Sequence, residues 1–157
     1  MHRSAEVGLV YCWSIDIDEN DCVIEANIPT ALENERRAKS SPRGRVVEEL
    51  AKNNFLGNGS TPLIRRSCID AVGGYDTGLR GAEDWMLYLA LSDICEFAVI
   101  PEYLVGYRQW TGANSMNVAA MEQGMEQACL SGCHTQALSL VAFSGLHSSS
   151  RAQHPPL

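Results

Sequence analysis

Two adjacent carboxylates, Glu83 and Asp84, stand directly before a run of apolar residues and are the leading candidates for chemistry in this sequence. Acidic side chains in the first turn of a helix complement the helix dipole, and this alone explains their position. A partly desolvated carboxylate at the mouth of a pocket can instead act as a general base, which typically accelerates a reaction by about 10² to 10⁴-fold. Successive helical residues point about 100° apart, so only one of the two can face a given substrate atom. Their spacing leaves both interpretations open.

A second polar group, Asp16, Asp18 and Asn20, has the opening spacing of a calcium-binding loop. Such a loop requires glycine at its sixth position and glutamate at its twelfth, where this sequence has Asp21 and Asn27. These mismatches favour a solvated turn. We predict no metal-ligating residues in this chain.

Helical elements must position the acidic pair. The segment from about Ala82 to Ser92 is apolar on nearly every face, which predicts a largely buried helix. A shorter helix is predicted from Ser67, its N-cap, to Val72, with Gly73 and Gly74 ending it. A third is predicted by helical spacing of apolar residues between Arg45 and Asn53.

Runs of β-branched and aromatic residues predict the strands. The first two should form a hairpin across a polar turn, and the last two are separated by Pro101, a residue that belongs at a strand edge or turn. In chain order the predicted strands are Val7–Ile15, Cys22–Ala26, Thr61–Arg65, Cys95–Ile100 and Glu102–Arg108.

The remaining segments are less patterned. Residues Pro29–Arg45 are rich in charge, Ser, Pro and Gly, which predicts a mobile connector that is partly helical. Ala113–Leu130 is predicted to be a helix, and roughly the last ten residues are predicted to be disordered. We therefore divide the chain into a main unit over residues 1–117 and a helical extension with a disordered tail over residues 118–157.

Composition limits the classes of function. The chain has 157 residues, enough for one domain, with 12 basic and 19 acidic side chains and a net charge of −7, which argues against nucleic acid as a partner. Its apolar runs are too short to span a bilayer and its start lacks a signal peptide, so we expect a cytoplasmic protein. The six cysteines lie in mostly apolar surroundings and imply no disulfide framework.

Five short motifs follow one another in a fixed order over about 50 residues, too many in series for chance. They are Asn58-Gly59-Ser60 with Leu63-Ile64-Arg65-Arg66, then Val72-Gly73-Gly74-Tyr75-Asp76, Glu83-Asp84-Trp85, Ile100-Pro101 and Tyr107-Arg108. In this order and spacing they resemble the acceptor-side half of the family 2 glycosyltransferases. With the hairpin that begins at Val7, the resemblance covers roughly residues 7–117. It implies an α/β fold, a partial GT-A-like (Rossmann-related) mixed sheet with flanking helices.

The resemblance also assigns roles to the acidic pair. It implies that Asp84 is the catalytic base and that Glu83 is its supporting neighbour. The base would take a proton from an acceptor hydroxyl, which attacks the anomeric carbon of a nucleotide-activated sugar with inversion. We expect the helix start to hold Asp84 ionised, as a base requires.

The same resemblance implies a substrate-binding set around the base. Asn58, Gly59 and Ser60 would line the acceptor site, Trp85 would adjoin the base, and Arg108 would reach a phosphate oxygen. The residues alone are explained equally well by a structural turn at 58–60 and a surface arginine at a strand end.

A metal and a second half complete the resemblance. In the family an Asp-x-Asp motif holds manganese or magnesium, which stabilises the leaving nucleoside diphosphate. Asp16-Ile17-Asp18 spells this motif, but it sits in the hairpin turn, so the resemblance places the true motif and the nucleotide-binding half upstream of residue 1. We therefore expect a fragment of a transferase of cell-surface polysaccharide biosynthesis, inactive without that half and without a metal of its own.

The partners implied are a nucleotide-sugar donor and a hydroxyl acceptor, either a saccharide or a lipid-linked molecule. Association with a membrane surface is compatible with the family but is not encoded in these residues. The alternative hypothesis is a non-catalytic binding or assembly module that keeps the acceptor groove.

Overall fold

The computed structural model of this chain describes residues 6–24, 31–79 and 81–110, together with Gln123. Within them the fold is mixed α/β, with a three-stranded open sheet and flanking helices. The elements in chain order are β1 (Val7–Ile17), α1 (Ala31–Ser40), α2 (Val47–Lys52), β2 (Pro62–Ile64), α3 (Arg66–Val72), α4 (Glu83–Ile94) and β3 (Glu96–Arg108). The α/β class and the mixed sheet with helices beside it are confirmed. Apart from Gln123, the helix predicted at 113–130 and the predicted tail lie outside the described residues. The division of the chain at residue 117 stays a prediction.

β1 is the central strand of the sheet and pairs with both others. β2 runs antiparallel to it, with Val10 opposite Leu63, and β3 runs parallel, with Val10 opposite Ala98. A strand that is covered on both of its faces needs apolar residues at successive positions. That requirement explains the unbroken apolar character of Val7–Trp13, of which Leu9, Tyr11, Cys12 and Trp13 are buried.

Pro101 lies inside β3, so the prediction of two separate strands is wrong. Tyr11 is opposite Val99 and Trp13 is opposite Tyr103. Between these two pairs β1 has one residue and β3 has three, so β3 bulges at this point. Such a bulge leaves residues without ladder partners, and a proline needs none because it has no N–H to donate. The bulge therefore accommodates Pro101 without ending the strand.

The predicted hairpin is reduced to a turn. β1 extends two residues beyond the predicted end, to Ile17, and Asp18 N–H donates to the carbonyl of Cys22 at 2.8 Å. In the described part of the predicted second strand, only an isolated bridge between Val23 and Ile17 forms. The turn is tight because the Asp18 carboxylate accepts the backbone N–H of Asn20 and of Cys22.

The short helices begin and end for local reasons. α3 starts one residue before the predicted N-cap Ser67, because Arg65, the extended residue after β2, is the N-cap and its carbonyl accepts the N–H of Cys68. Gly73 ends α3 in the left-handed conformation, at a φ of 83°, as predicted. α2 matches its predicted position, with acidic residues in its first turn and Lys52 in its last.

α1 is a regular ten-residue helix in the segment that we predicted to be a connector, yet none of its residues is buried. Polar and aromatic contacts hold it to the sheet. The guanidinium of Arg37 lies 5.0 Å from the ring centroid of Trp13 and 5.4 Å from that of Tyr103. The Trp13 indole N–H also donates to Ser41 Oγ at 3.2 Å, just past the helix. These contacts stabilise a helix within the segment that the sequence predicts to be a partly helical connector.

One apolar core joins the sheet to α2 and α4. Its members come from the centre of β1, the first residues of β3, and the inner sides of α2 and α4, and those with no exposed surface are Leu9, Leu50, Tyr88, Leu89 and Leu91. Burial of this kind stabilises by roughly 25 cal/mol per Å² of apolar surface. No helix among the described residues is long and apolar enough to cross a membrane.

We predict that Arg37→Ala lowers the free energy of unfolding by about 1 kcal/mol, because it removes both ring contacts and the hydrogen bond to Tyr103. Arg36→Ala, on the exposed side of the same helix, is the matched control and should change it by less than about 0.5 kcal/mol. Urea unfolding followed by tryptophan fluorescence measures both. Equal effects of the two substitutions would contradict the anchoring role of Arg37.

Candidate functional site

The acidic pair lies at the edge of the sheet where the parallel strands end. A single residue, Cys95, connects α4 to β3, so α4 runs back along the strands. Cys95, which directly follows α4, lies against Gly8 at the start of β1, whereas Tyr88 bonds a loop that is tied to Ser14 near the end of β1. The start of α4 therefore points to the carboxyl edge of β1 and β3, where ligands bind in α/β sheets of this kind.

The chain enters α4 through two left-handed residues. Gly81 has a φ of 86° and Ala82 a φ of 60°, and the side chain of Ala82 is buried. Left-handed backbone is unfavourable for a residue with a Cβ atom and persists where surrounding packing imposes it. The Ala82 carbonyl accepts the first helical N–H, from Met86, at 3.0 Å. This turn fixes the direction in which Glu83 leaves the loop.

Asp84 is half-buried and Glu83 is exposed, so the two carboxylates have different environments. One carboxylate oxygen of Asp84 accepts the backbone N–H of Trp85 at 2.6 Å. Burial raises the pKa of Asp84 above its ordinary value, the charge of Glu83 raises it further, and the Trp85 hydrogen bond opposes both. A raised pKa makes the carboxylate a stronger proton acceptor.

The direction of this shift is opposite to the effect of the helix start alone. A helix N-terminus alone favours the charged form of a carboxylate and so lowers its pKa. At Asp84 the desolvation of a half-buried group outweighs that effect, and the pKa moves the other way.

Tyr88, one helical turn after Asp84, connects the acidic pair to the loop at residues 57–61. Its ring is fully buried, and its hydroxyl donates to the carbonyl of Asn58 at 3.3 Å. Burial raises the pKa of Tyr88, and the neighbouring charge of Asp84 raises it further. Because Asp84 and Tyr88 are four residues apart on one helix face, Asp84 and the Asn58 loop lie on the same side of α4.

Asn58 builds this loop with both ends of its side chain. Its amide nitrogen donates to Ser14 Oγ at 3.2 Å, and its amide oxygen accepts the N–H of Ser60 at 2.9 Å. Asn58 is buried, whereas Gly59 and Ser60 are exposed. Of the three residues predicted to line an acceptor site, Asn58 therefore holds the loop in place and the other two form its surface.

Trp85 and Arg108 point to other parts of the molecule. The Trp85 indole N–H donates to the carbonyl of Leu50 at 2.9 Å, so this side chain joins α4 to α2. Arg108, at the end of β3, donates to the carbonyl of Asp18 at 2.8 Å and to the carboxylate of Asp21. The described contacts of Arg108 thus close the turn after β1, and they favour the structural interpretation of this residue.

The aspartates that spell a metal motif are engaged elsewhere. Asp16 accepts the side-chain N–H of Gln109 at 3.2 Å, and Asp18 accepts two backbone N–H groups of its own turn. Across the part of the chain that the structure describes, no group of three or more His, Cys, Asp or Glu side chains is arranged to hold a metal ion. The described contacts of Asp16 and Asp18 favour the interpretation of this segment as a turn.

Sequence reasoning missed Tyr88 and Ser14. Tyr88 stands four residues after Asp84, a spacing that puts both on one helix face, so this hydroxyl was open to prediction. Ser14 carries no such signal, because its bond to Asn58 spans 44 positions and exists only in the folded chain.

Comparisons with known proteins give no independent assignment. A scan against profiles of known protein families found no match, and a search of curated proteins found no relative. The resemblance to family 2 glycosyltransferases therefore rests on the residues quoted for it.

We predict that Asn58→Ala lowers the free energy of unfolding by about 1 to 2 kcal/mol, because it removes two part-buried hydrogen bonds that hold the loop. Ser60→Ala, at an exposed position of the same loop, should be nearly neutral. Chemical denaturation of both variants measures the difference. A neutral Asn58→Ala would show that the loop is held by its backbone alone.

We predict that Asp84→Asn stabilises the chain at neutral pH, by less than about 1 kcal/mol because the side chain keeps contact with solvent. Because the pKa of Asp84 is raised, the folded state binds the Asp84 proton more tightly than the unfolded state does. The free energy of unfolding of the wild type therefore falls as the pH rises through the range in which Asp84 ionises. The advantage of Asp84→Asn should be absent at about pH 3 and reach a plateau by about pH 7.

The matched control for this pH dependence is Glu48→Gln, an exposed acid in the first turn of α2. At this exposed position the substitution should change the free energy of unfolding by less than about 0.5 kcal/mol. Urea unfolding of the three proteins at both pH values checks that only Asp84→Asn gains stability over the wild type as the pH rises. Destabilisation by Asp84→Asn at neutral pH would refute the burial argument.

Proposed function

We propose that this chain is the acceptor-binding half of an inverting, family 2-like glycosyltransferase in which Asp84 is the general base. The observation that carries the proposal is the placement of a half-buried carboxylate of raised pKa at the carboxyl edge of the parallel strands β1 and β3. That edge is the usual ligand-binding edge of an α/β sheet. The order of the motifs in the sequence is the reason for proposing glycosyl transfer as the reaction.

In the proposed reaction an acceptor hydroxyl lies against Asp84. The carboxylate accepts the hydroxyl proton as the oxygen forms its bond to the anomeric carbon of the donor sugar. The bond from that carbon to the phosphate oxygen breaks, and its electron pair leaves with the nucleoside diphosphate. Attack from the face opposite the leaving group inverts the configuration. The base is then regenerated by loss of its proton to water.

The residues around Asp84 have supporting roles in this proposal. The Trp85 N–H fixes the orientation of the carboxylate, and the exposed Glu83 adds negative charge that strengthens it as a base. Gly59 and Ser60 form the exposed loop surface on the same side of α4, where an acceptor saccharide would lie. Trp85 acts through its bond to Leu50 by holding α4 against α2.

The donor side belongs to the proposed nucleotide-binding half. A manganese or magnesium ion held there would neutralise the developing charge on the diphosphate. Nucleotide sugars are cytoplasmic metabolites, and four free thiols in the described chain, those of Cys12, Cys22, Cys68 and Cys95, suit a reducing compartment. We therefore propose a cytoplasmic enzyme half.

A second candidate, a non-catalytic binding module that keeps the acceptor groove, is favoured by one observation. Asn58, Trp85 and Arg108, which the resemblance assigns to substrate, all have polar atoms bonded within the protein. This candidate requires the acceptor surface but no proton transfer, so it predicts that Asp84→Asn leaves function unchanged.

The deciding experiment uses the chain joined to its nucleotide-binding half and measures transfer from a panel of nucleoside-diphosphate sugars to saccharide acceptors. We predict that Asp84→Asn lowers kcat by about 10² to 10⁴-fold while donor binding stays near normal. Glu83→Gln, the adjacent acid on the same helix turn, is the matched control and should lose less than about ten-fold. Wild-type turnover by Asp84→Asn would exclude Asp84 as the base, and a larger loss in Glu83→Gln would move the role to Glu83.

Calorimetry of the chain alone tests whether the donor site lies outside these residues. With nucleotide sugars and manganese the proposed enzyme half should give little heat. Tight donor binding would mean that Asp16 and Asp18 had been misinterpreted.

A further inference from the structure

Two cysteines from different helices meet beside Gly8 at the start of β1. Cys68 lies in the first turn of α3 and Cys95 directly follows α4. A Cβ atom on Gly8 would lie 2.7 Å from the sulfur of Cys68 and closer still to that of Cys95. Real Cβ atoms never approach so closely, so the two sulfurs occupy the space that a side chain at position 8 would fill. The absence of a Cβ at Gly8 is what lets them come together.

The two thiols are also direct neighbours of each other. Both sulfurs lie within 2.7 Å of the position that a Cβ on Gly8 would occupy, and the Cys95 thiol donates to the carbonyl of Leu91 at 3.3 Å. Both cysteines are free, 27 positions apart in the sequence, and brought together by the packing of α3 and α4 against the sheet.

The surroundings of the two sulfurs differ. Cys95 is buried, and burial together with the neighbouring Cys68 raises the pKa of its thiol to about 11. Cys68 keeps part of its surface exposed to solvent. Because the thiolate is the reactive form and an oxidant must reach the sulfur, Cys68 is the one that reacts first and Cys95 the one that resolves the product.

We propose that Cys68 and Cys95 are a reversible redox pair that closes to a disulfide when the chain meets hydrogen peroxide. The Cys68 thiolate attacks one peroxide oxygen, which gives a sulfenic acid and releases hydroxide. The Cys95 thiol then attacks the Cys68 sulfur, the S–S bond forms, and the sulfenic oxygen leaves as water. The two thiols together lose two electrons and two protons, and the peroxide is reduced to two waters.

The bond would join α3 to the end of α4 that lies away from Asp84. It closes a loop that contains Gly73, Gly74 and the acidic pair, and it restricts the unfolded chain. The consequence is a fold held more firmly in oxidising conditions, whatever reaction the chain takes part in. The inference does not rest on the proposed function.

The test treats the full chain with hydrogen peroxide, blocks the remaining thiols, and maps cross-linked peptides by mass spectrometry. A peptide linking Cys68 to Cys95 should form and should disappear on treatment with dithiothreitol. The thermal midpoint of the oxidised chain should rise by roughly 5 °C over that of the reduced chain. Cys22→Ser, which removes an exposed cysteine outside the pair, should keep both effects.

Variants of the pair test the order of reaction. Cys95→Ser should stop at the sulfenic acid, so dimedone should label Cys68 in it. Cys68→Ser should show neither the cross-link nor dimedone labelling of Cys95. Because the mapping of the unaltered chain stands alone, poor folding of either variant does not remove the test.

Two results would overturn the proposal. One is that Cys68 and Cys95 both stay reactive towards the blocking reagent after peroxide has oxidised Cys22. The other is a first cross-link that joins either member to Cys12, Cys22, Cys129 or Cys133 in place of its partner.

Discussion

The parallel pairing of β1 with β3 is the constraint from which the rest of the described structure follows. Parallel strands cannot be joined by a tight turn, so the chain must cross back before β3 begins. The last part of that return is α4, and the one-residue connection at Cys95 leaves no freedom in its direction. The start of α4, with its acidic pair, is thereby carried to the carboxyl edge of the sheet, and its end is carried to Gly8.

Each end of α4 gains its chemical character from burial. At the start, desolvation of Asp84 raises the pKa of its carboxyl against the effect of the helix dipole. At the end, desolvation raises the pKa of the Cys95 thiol, again with a like neighbour adding to the shift. In both places an exposed or partly exposed residue of the same kind stands beside a more buried one, and this difference in solvation is the basis of the different roles that we propose for them.

Polar contacts decide several features that apolar patterns do not. α1 has no buried residue and is held by Arg37 between two aromatic rings. The loop that faces α4 is held by Asn58, whose side chain bonds Ser14 on one side and Ser60 on the other. Such contacts join residues far apart in the chain, so they are absent from any local pattern.

The sequence by itself determined the local elements: the buried strand at β1, the apolar helix α4, the glycine end of α3 and the acidic pair at the start of α4. These follow from side-chain periodicity and backbone preference, which act over a few neighbouring residues. Tertiary structure alone decided that Pro101 sits within one strand, that Val23 forms a single bridge, and that the pKa of Asp84 rises. Each of these depends on which distant residues a group meets and how much water it loses there, and that is fixed only when the strands have paired.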